Sequence, residues 1–120
     1  MAKKILVVDD NQFNVQLVQA RLEQKHYEVI TAFDGHEGLE KAKTQNPDLI
    51  LLDVQMPEMN GYTFMVELEK IEGVHEMPVI VLTAHQEMQP IFERKGVRGY
   101  FIKPLNFDEV LKIIKEILGE

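Results

Sequence analysis

The chain has 120 residues, enough to bury the core of one compact domain and too few for two, so residues 1–120 are read as a single domain. Its 20 Asp and Glu outweigh 13 Lys and Arg for a net charge of −7, which argues against a nucleic-acid partner, because binding a phosphate backbone needs a basic face. Cysteine is absent, which excludes disulfides, a CxxC redox pair and thiolate metal sites, and neither a signal peptide nor an apolar stretch of membrane-spanning length is present; the expectation is a soluble, cytoplasmic protein.

The first predicted strand covers residues 5–8, "ILVV", and ends in the adjacent carboxylates Asp9-Asp10. A helix follows from Gln12 to about Lys25, capped by Asn11, with Leu17, Val18 and Leu22 as its core stripe. Phe13, Val15 and Leu17 leave it more apolar than one buried face needs. Either a docking surface near the acidic end or the flank of a wide core stripe accounts for them, and Leu17 is assigned to the core.

A strand at 28–31 precedes a helix from Gly35 to about Thr44, which Asn46-Pro47 ends because the residue before proline is pushed out of the helical region. The strand at 49–52, "LILL", runs into Asp53, and Asn60-Gly61 opens a helix that reaches about Ile71. The strand at 79–82 ends in Thr83-Ala84. Pro90 suits only the first turn of a helix, so residues 84–89 are expected as a mobile loop, with a short helix starting at Pro90, weakly capped by Gln89, and ending before Gly96. The strand at 99–102 meets Lys103-Pro104. Phe107, Val110, Leu111, Ile114, Ile117 and Leu118 then repeat at helical spacing until Gly119.

Strands alternating with helices imply an α/β fold with a parallel sheet, and the apolar runs of the first, third and fourth strands mark its centre. Ligands of such open sheets bind at the carboxyl ends of the strands. Asp9, Asp10, Asp53, Thr83 and Lys103 all follow strands directly. One acid after a strand is commonly a helix cap; five polar groups after four strands form a set. Three carboxylates in a small volume repel unless a cation neutralises them, and a donor set of oxygens without His or Cys suits Mg²⁺.

The motifs "VVDDN", "LLDVQMPEMNG", "VLTA" and "YFIKP", in this order over nearly the whole chain, closely resemble the response-regulator receiver family. The resemblance implies a doubly wound five-stranded parallel sheet of flavodoxin-like order 2-1-3-4-5. It implies a protein that is not an enzyme acting on others but a Mg²⁺-dependent phosphoacceptor catalysing its own phosphorylation and dephosphorylation. Asp53 would accept a phosphoryl group from a phosphohistidine on a sensor histidine kinase or phosphotransfer protein. Asp10, Asp53 and the backbone carbonyl of Gln55 would bind Mg²⁺, with Asp9 acting through a metal-bound water. Lys103 and Thr83 would contact phosphoryl oxygens, and Tyr100 would be the switch aromatic that turns inward with Thr83 and alters binding of an output partner yet to be named. Pro57 and Gly61 would shape the loop after Asp53, and Lys103-Pro104 would be cis.

Measured against the family, Thr83 to Lys103 is about two residues short. That agrees with a shortened fourth helix and puts more of the output surface on the fifth helix, with Ile113 at the margin of its buried stripe. His26, His36, His75 and His85 are read as solvated. His85 and Gln55, two residues after Thr83 and Asp53, lie where a side chain would cover a phosphoryl group; for His85 an exposed bystander is preferred. Two other functions compete. A haloacid-dehalogenase-like phosphatase would carry its nucleophile in an Asp-x-Asp motif after the first strand, where this chain has adjacent acids. A flavodoxin-like electron carrier would need a phosphate loop in the same place. A receiver cut from a hybrid kinase or transcription factor is the third alternative.

Overall fold

The computed structural model describes residues 2–54, 56, 59–71, 73 and 77–119. Its elements run β1 (Lys4–Val8), α1 (Gln12–Gln24), β2 (Glu28–Ala32), α2 (Gly35–Gln45), β3 (Leu49–Leu52), α3 (Gly61–Glu69), β4 (Val79–Thr83), α4 (Gln89–Arg94), β5 (Gly99–Ile102) and α5 (Phe107–Leu118), with a 3-10 turn at Gln86–Met88. All five strands are parallel, in the order β2-β1-β3-β4-β5.

Alternating side chains of each central strand enter different cores. Leu6, Val8, Ile50, Leu52, Val79 and Val81 pack on the face with Phe64 of α3 and Phe92 of α4. Ile5, Val7, Leu49, Leu51, Ile80 and Leu82 pack on the other, with Val15 and Leu22 of α1 and Val110 and Ile114 of α5. Burial on both sides explains why these strands read as unbroken apolar runs.

The helix starts follow local chemistry. Asn11, Asp34, Asn60 and Asn106 cap α1, α2, α3 and α5, each side chain accepting from a backbone N–H in the first turn. α1 and α4 end alike: the residue after the cap turns left-handed, His26 (φ 69°) in one and Gly96 (φ 85°) in the other. The next N–H donates back to the last helical turn in both, Tyr27 to Leu22 at 3.3 Å and Val97 to Phe92 at 3.4 Å.

Three expectations need correction. Leu17 is 54% exposed and lies outside the core, while Val15 is buried. Successive helical residues turn by about 100°, so Leu17 lies roughly 200° from Val15, and the buried stripe is Val15, Val18 and Leu22. Residues 84–89 are not a plain loop, because they contain the 3-10 turn. α4 begins at Gln89 rather than Pro90, and Met88, not Gln89, stands at its cap without a side-chain hydrogen bond. The shortened fourth helix itself is present: α4 has six residues.

Candidate functional site at the carboxyl edge of the sheet

The parallel ladder continues one residue beyond the strands and fixes the polar groups that follow. Asp9 N–H donates to the Ala32 carbonyl at 3.1 Å, Asp53 N–H to Val8 at 2.9 Å and Lys103 N–H to Thr83 at 2.7 Å. The expected residues of four strands therefore meet at one edge. Asp9, Asp10 and Asp53 each present an oxygen, and these oxygens lie within 4.8 Å of one another. Asp9 is buried, Asp53 half-buried and Asp10 exposed. Lys103 Nζ stands between two of them, 3.4 Å from Asp9 Oδ2 and 3.8 Å from Asp53 Oδ2. The Lys103-Pro104 peptide is cis, as expected.

Asp9 is already engaged at both oxygens, since Oδ1 accepts the Asn11 N–H at 2.9 Å while Oδ2 faces Lys103. All the donors are hard oxygens, which suits a small divalent cation such as Mg²⁺.

Gly61 closes the loop behind Asp53. Its N–H donates to the Val54 carbonyl at 2.6 Å, and a Cβ there would come within 2.7 Å of the Val54 Cα. Gln55 and Pro57, expected in the same loop, and His75 lie outside the described residues.

Thr83 is fully buried, and its Oγ1 accepts the His85 N–H at 3.2 Å. The Tyr100 hydroxyl donates to the His85 carbonyl, so the Tyr100 ring is turned inward, where it packs on the core face of α3 and α4. Burial, with the Glu87 carboxylate nearby, raises the Tyr100 phenol above its ordinary value. His26 and His36 are exposed as expected; His85 is half-buried rather than exposed, its Nδ1 3.0 Å from Glu87 Oε1. The His85 backbone joins Thr83 to Tyr100. Residue type gives no signal for a role carried by peptide groups.

A cleft of about 560 Å³ opens beside the acids, between Leu17, Val18 and Arg21 of α1 and Pro104, Leu105 and Phe107 at the start of α5. Phe13 is 67% exposed and lies one turn before Leu17 on the same side of α1.

Residues 5–115 match the model of the response regulator receiver domain. The chain belongs to the receiver family. It is 42% identical over 120 residues to the alkaline phosphatase synthesis transcriptional regulatory protein PhoP of Bacillus subtilis, covering 98% of this chain and 49% of PhoP. It thus spans about half the length of that relative. It is 33% identical over 122 residues to the polar-differentiation response regulator DivK of Brucella ovis, covering 100% of this chain and 99% of DivK. Among solved structures it resembles the receiver domain of sensor histidine kinase PA1611 from Pseudomonas aeruginosa, a structure with a magnesium ion coordinated in the active-site cleft. The TM-score is 0.90 at 30% identity, with 100% of both chains covered. This receiver is a component of two-component phosphoacceptor signalling, and the matched family is not that of the phosphatase alternative. Among the described residues no helix is long and apolar enough to cross a membrane.

Proposed function

We propose that the domain formed by residues 1–120 accepts a phosphoryl group on Asp53, catalyses that transfer and its reversal with Mg²⁺, and thereby changes which partner it binds. The observation that carries this reading is the convergence of three carboxylates and Lys103 on one sheet edge. A carboxylate oxygen of Asp53 attacks the phosphorus of a phosphohistidine. The new P–O bond forms as the P–N bond breaks, and the departing imidazole nitrogen takes a proton.

Little covalent chemistry is asked of the protein, so its residues act by position and charge. Lys103, already near Asp53, follows the transferred group and neutralises one phosphoryl oxygen. Thr83 can donate its hydroxyl proton to another oxygen while Oγ1 keeps the His85 N–H. Asp10 and Asp53 would hold Mg²⁺ directly together with the Gln55 backbone carbonyl, and Asp9, whose oxygens are engaged, would act through a metal-bound water. A bound Mg²⁺ supplies the divalent charge that offsets the crowded carboxylates and the incoming phosphoryl oxygens.

The donor is a sensor histidine kinase or a histidine phosphotransfer protein in the cytoplasm. Phe13 and Leu17 give α1 an exposed apolar edge beside the cleft, suited to a helix pair that carries the phosphohistidine. The domain would serve equally in a response regulator, as DivK is named, or as the receiver domain of a sensor histidine kinase, as PA1611 is named.

Labelling with a small phosphodonor tests the assignment. The wild-type chain should incorporate hydroxylamine-sensitive phosphate in a Mg²⁺-dependent manner, Asp53→Asn should incorporate none, and Asp10→Asn should need more Mg²⁺. Full labelling of Asp53→Asn refutes the reading.

A further inference from the structure

The short fourth helix is anchored by one ring. Phe92 is the only buried residue of α4, and it is fully enclosed. On one side its ring centroid lies 6.0 Å from that of Tyr100; on the other it lies 6.2 Å from that of Tyr62 at the start of α3, nearly edge-on at 79°. Tyr62 is 38% exposed. Lys95, just past the end of α4, covers the Tyr62 ring at 5.4 Å and pairs with Glu69 of α3 at 3.5 Å. A continuous aromatic file thus runs from the residue that holds the Thr83–His85 segment to a ring on the outer surface of α3.

Resting on the phosphoacceptor reading above and on the switch role that the family resemblance implies for Tyr100, we propose that phosphorylation of Asp53 is transmitted through Tyr100 and Phe92 to Tyr62, which makes the α3–α4 face, with Tyr62 and Lys95 as its positioning residues, a surface that changes with the state of Asp53. Close-packed rings do not deform continuously; they move between discrete arrangements. A six-residue helix with one buried side chain resists such a step less than a longer helix with a full buried stripe would. When Tyr100 takes up or leaves the inward position described above, Phe92 must follow or leave a void, and α4 carries Lys95 with it across Tyr62.

The chain contains no tryptophan, so Tyr62→Trp places a single indole at the end of the file. The full chain is titrated with Mg²⁺ and beryllofluoride, a phosphoryl mimic, while ¹⁹F NMR reports bound fluoride independently. The expected result is an indole emission shift that saturates with the ¹⁹F signal. Adding Phe92→Leu should cut that shift by about fivefold or more while bound fluoride persists. Tyr100→Leu, which removes a half-buried ring from an edge strand, should do the same and keeps the test decisive if Phe92→Leu fails to fold. Bound fluoride with a silent indole overturns the proposal. So does a shift undiminished in the folded variants, which would mean that α3 is moved directly through the Val54–Gly61 contact. Absence of bound fluoride in the wild type overturns the phosphoacceptor reading itself and the relay with it.

Discussion

Lys103 sits between two acids, 3.4 Å from Asp9 and 3.8 Å from Asp53. It contributes charge rather than metal donors, so Lys103→Ala should still bind Mg²⁺. It should lose the response to phosphorylation, because the phosphoryl group would lack its cationic partner. Intrinsic Tyr fluorescence with Mg²⁺ and beryllofluoride measures this; a wild-type response in Lys103→Ala would remove the lysine from the coupling route. Gly61 acts from further back. A Cβ there meets Val54 backbone at 2.7 Å, and backbone yields less readily than the end of a side chain. Gly61→Ala should therefore destabilise the fold by about 1–3 kcal/mol and slow labelling, since Val54 adjoins Asp53. Urea unfolding and the labelling rate check the two effects, and an unchanged rate would show that the loop absorbs the strain without moving Asp53.

At the scale of elements, strand positions were legible because the central strands are apolar on both faces, and the helix ends were legible where Asn, Gly or Pro carries a backbone rule. The phase of α1 was not, because Phe13 and Leu17 are as apolar as the residues it buries, and composition cannot separate a core stripe from an exposed one. The start of α2 carries a further signal, Asp34 followed three residues later by Glu37. Asp34 accepts the Glu37 N–H at 2.7 Å, and Glu37 Oε1 accepts the Phe33 N–H at 2.7 Å, a reciprocal cap reinforced by Lys41 at 3.0 Å from Glu37. The Phe33 N–H and then Lys41 hold the Glu37 carboxyl below its ordinary value. Its ionised form is thus favoured by folding: that stability is present above the ordinary carboxyl range and is lost as pH falls through the lowered native value. Glu37→Ala should cost about 1 kcal/mol at neutral pH and flatten the acid limb of stability against pH. Chemical denaturation at a series of pH values measures both, and an unchanged acid limb would assign that limb to other carboxylates.

For the molecule as a whole, the site was more legible than the route leading away from it. Asp9, Asp10, Asp53 and Lys103 follow strands and Thr83 ends one, so topology alone brings them together; the contacts linking Thr83 to Tyr100 run through a backbone that has no residue code. That link has a signature in global stability. The Tyr100 hydroxyl donates to the His85 carbonyl, and burial followed by the nearby Glu87 carboxylate raises its pKa above the ordinary 10.0. Between the ordinary value and the raised one, the folded protein keeps a proton that the unfolded chain has released. The unfolded state therefore binds fewer protons there, and stability is lost as pH rises through that window. Tyr100→Phe keeps the ring on Phe92 but has neither the proton nor the hydrogen bond. It should be less stable by about 1 kcal/mol at neutral pH and show a shallower decline above pH 10. Denaturation midpoints for both proteins from neutral to alkaline pH test this, with Glu87→Gln as a third arm in which the Tyr100 phenol should ionise at a lower pH than in the wild type. Equal alkaline slopes in wild type and Tyr100→Phe would mean that Tyr100 is solvated in the folded state, and the inward ring that joins Thr83 to the α4 face would have to be abandoned.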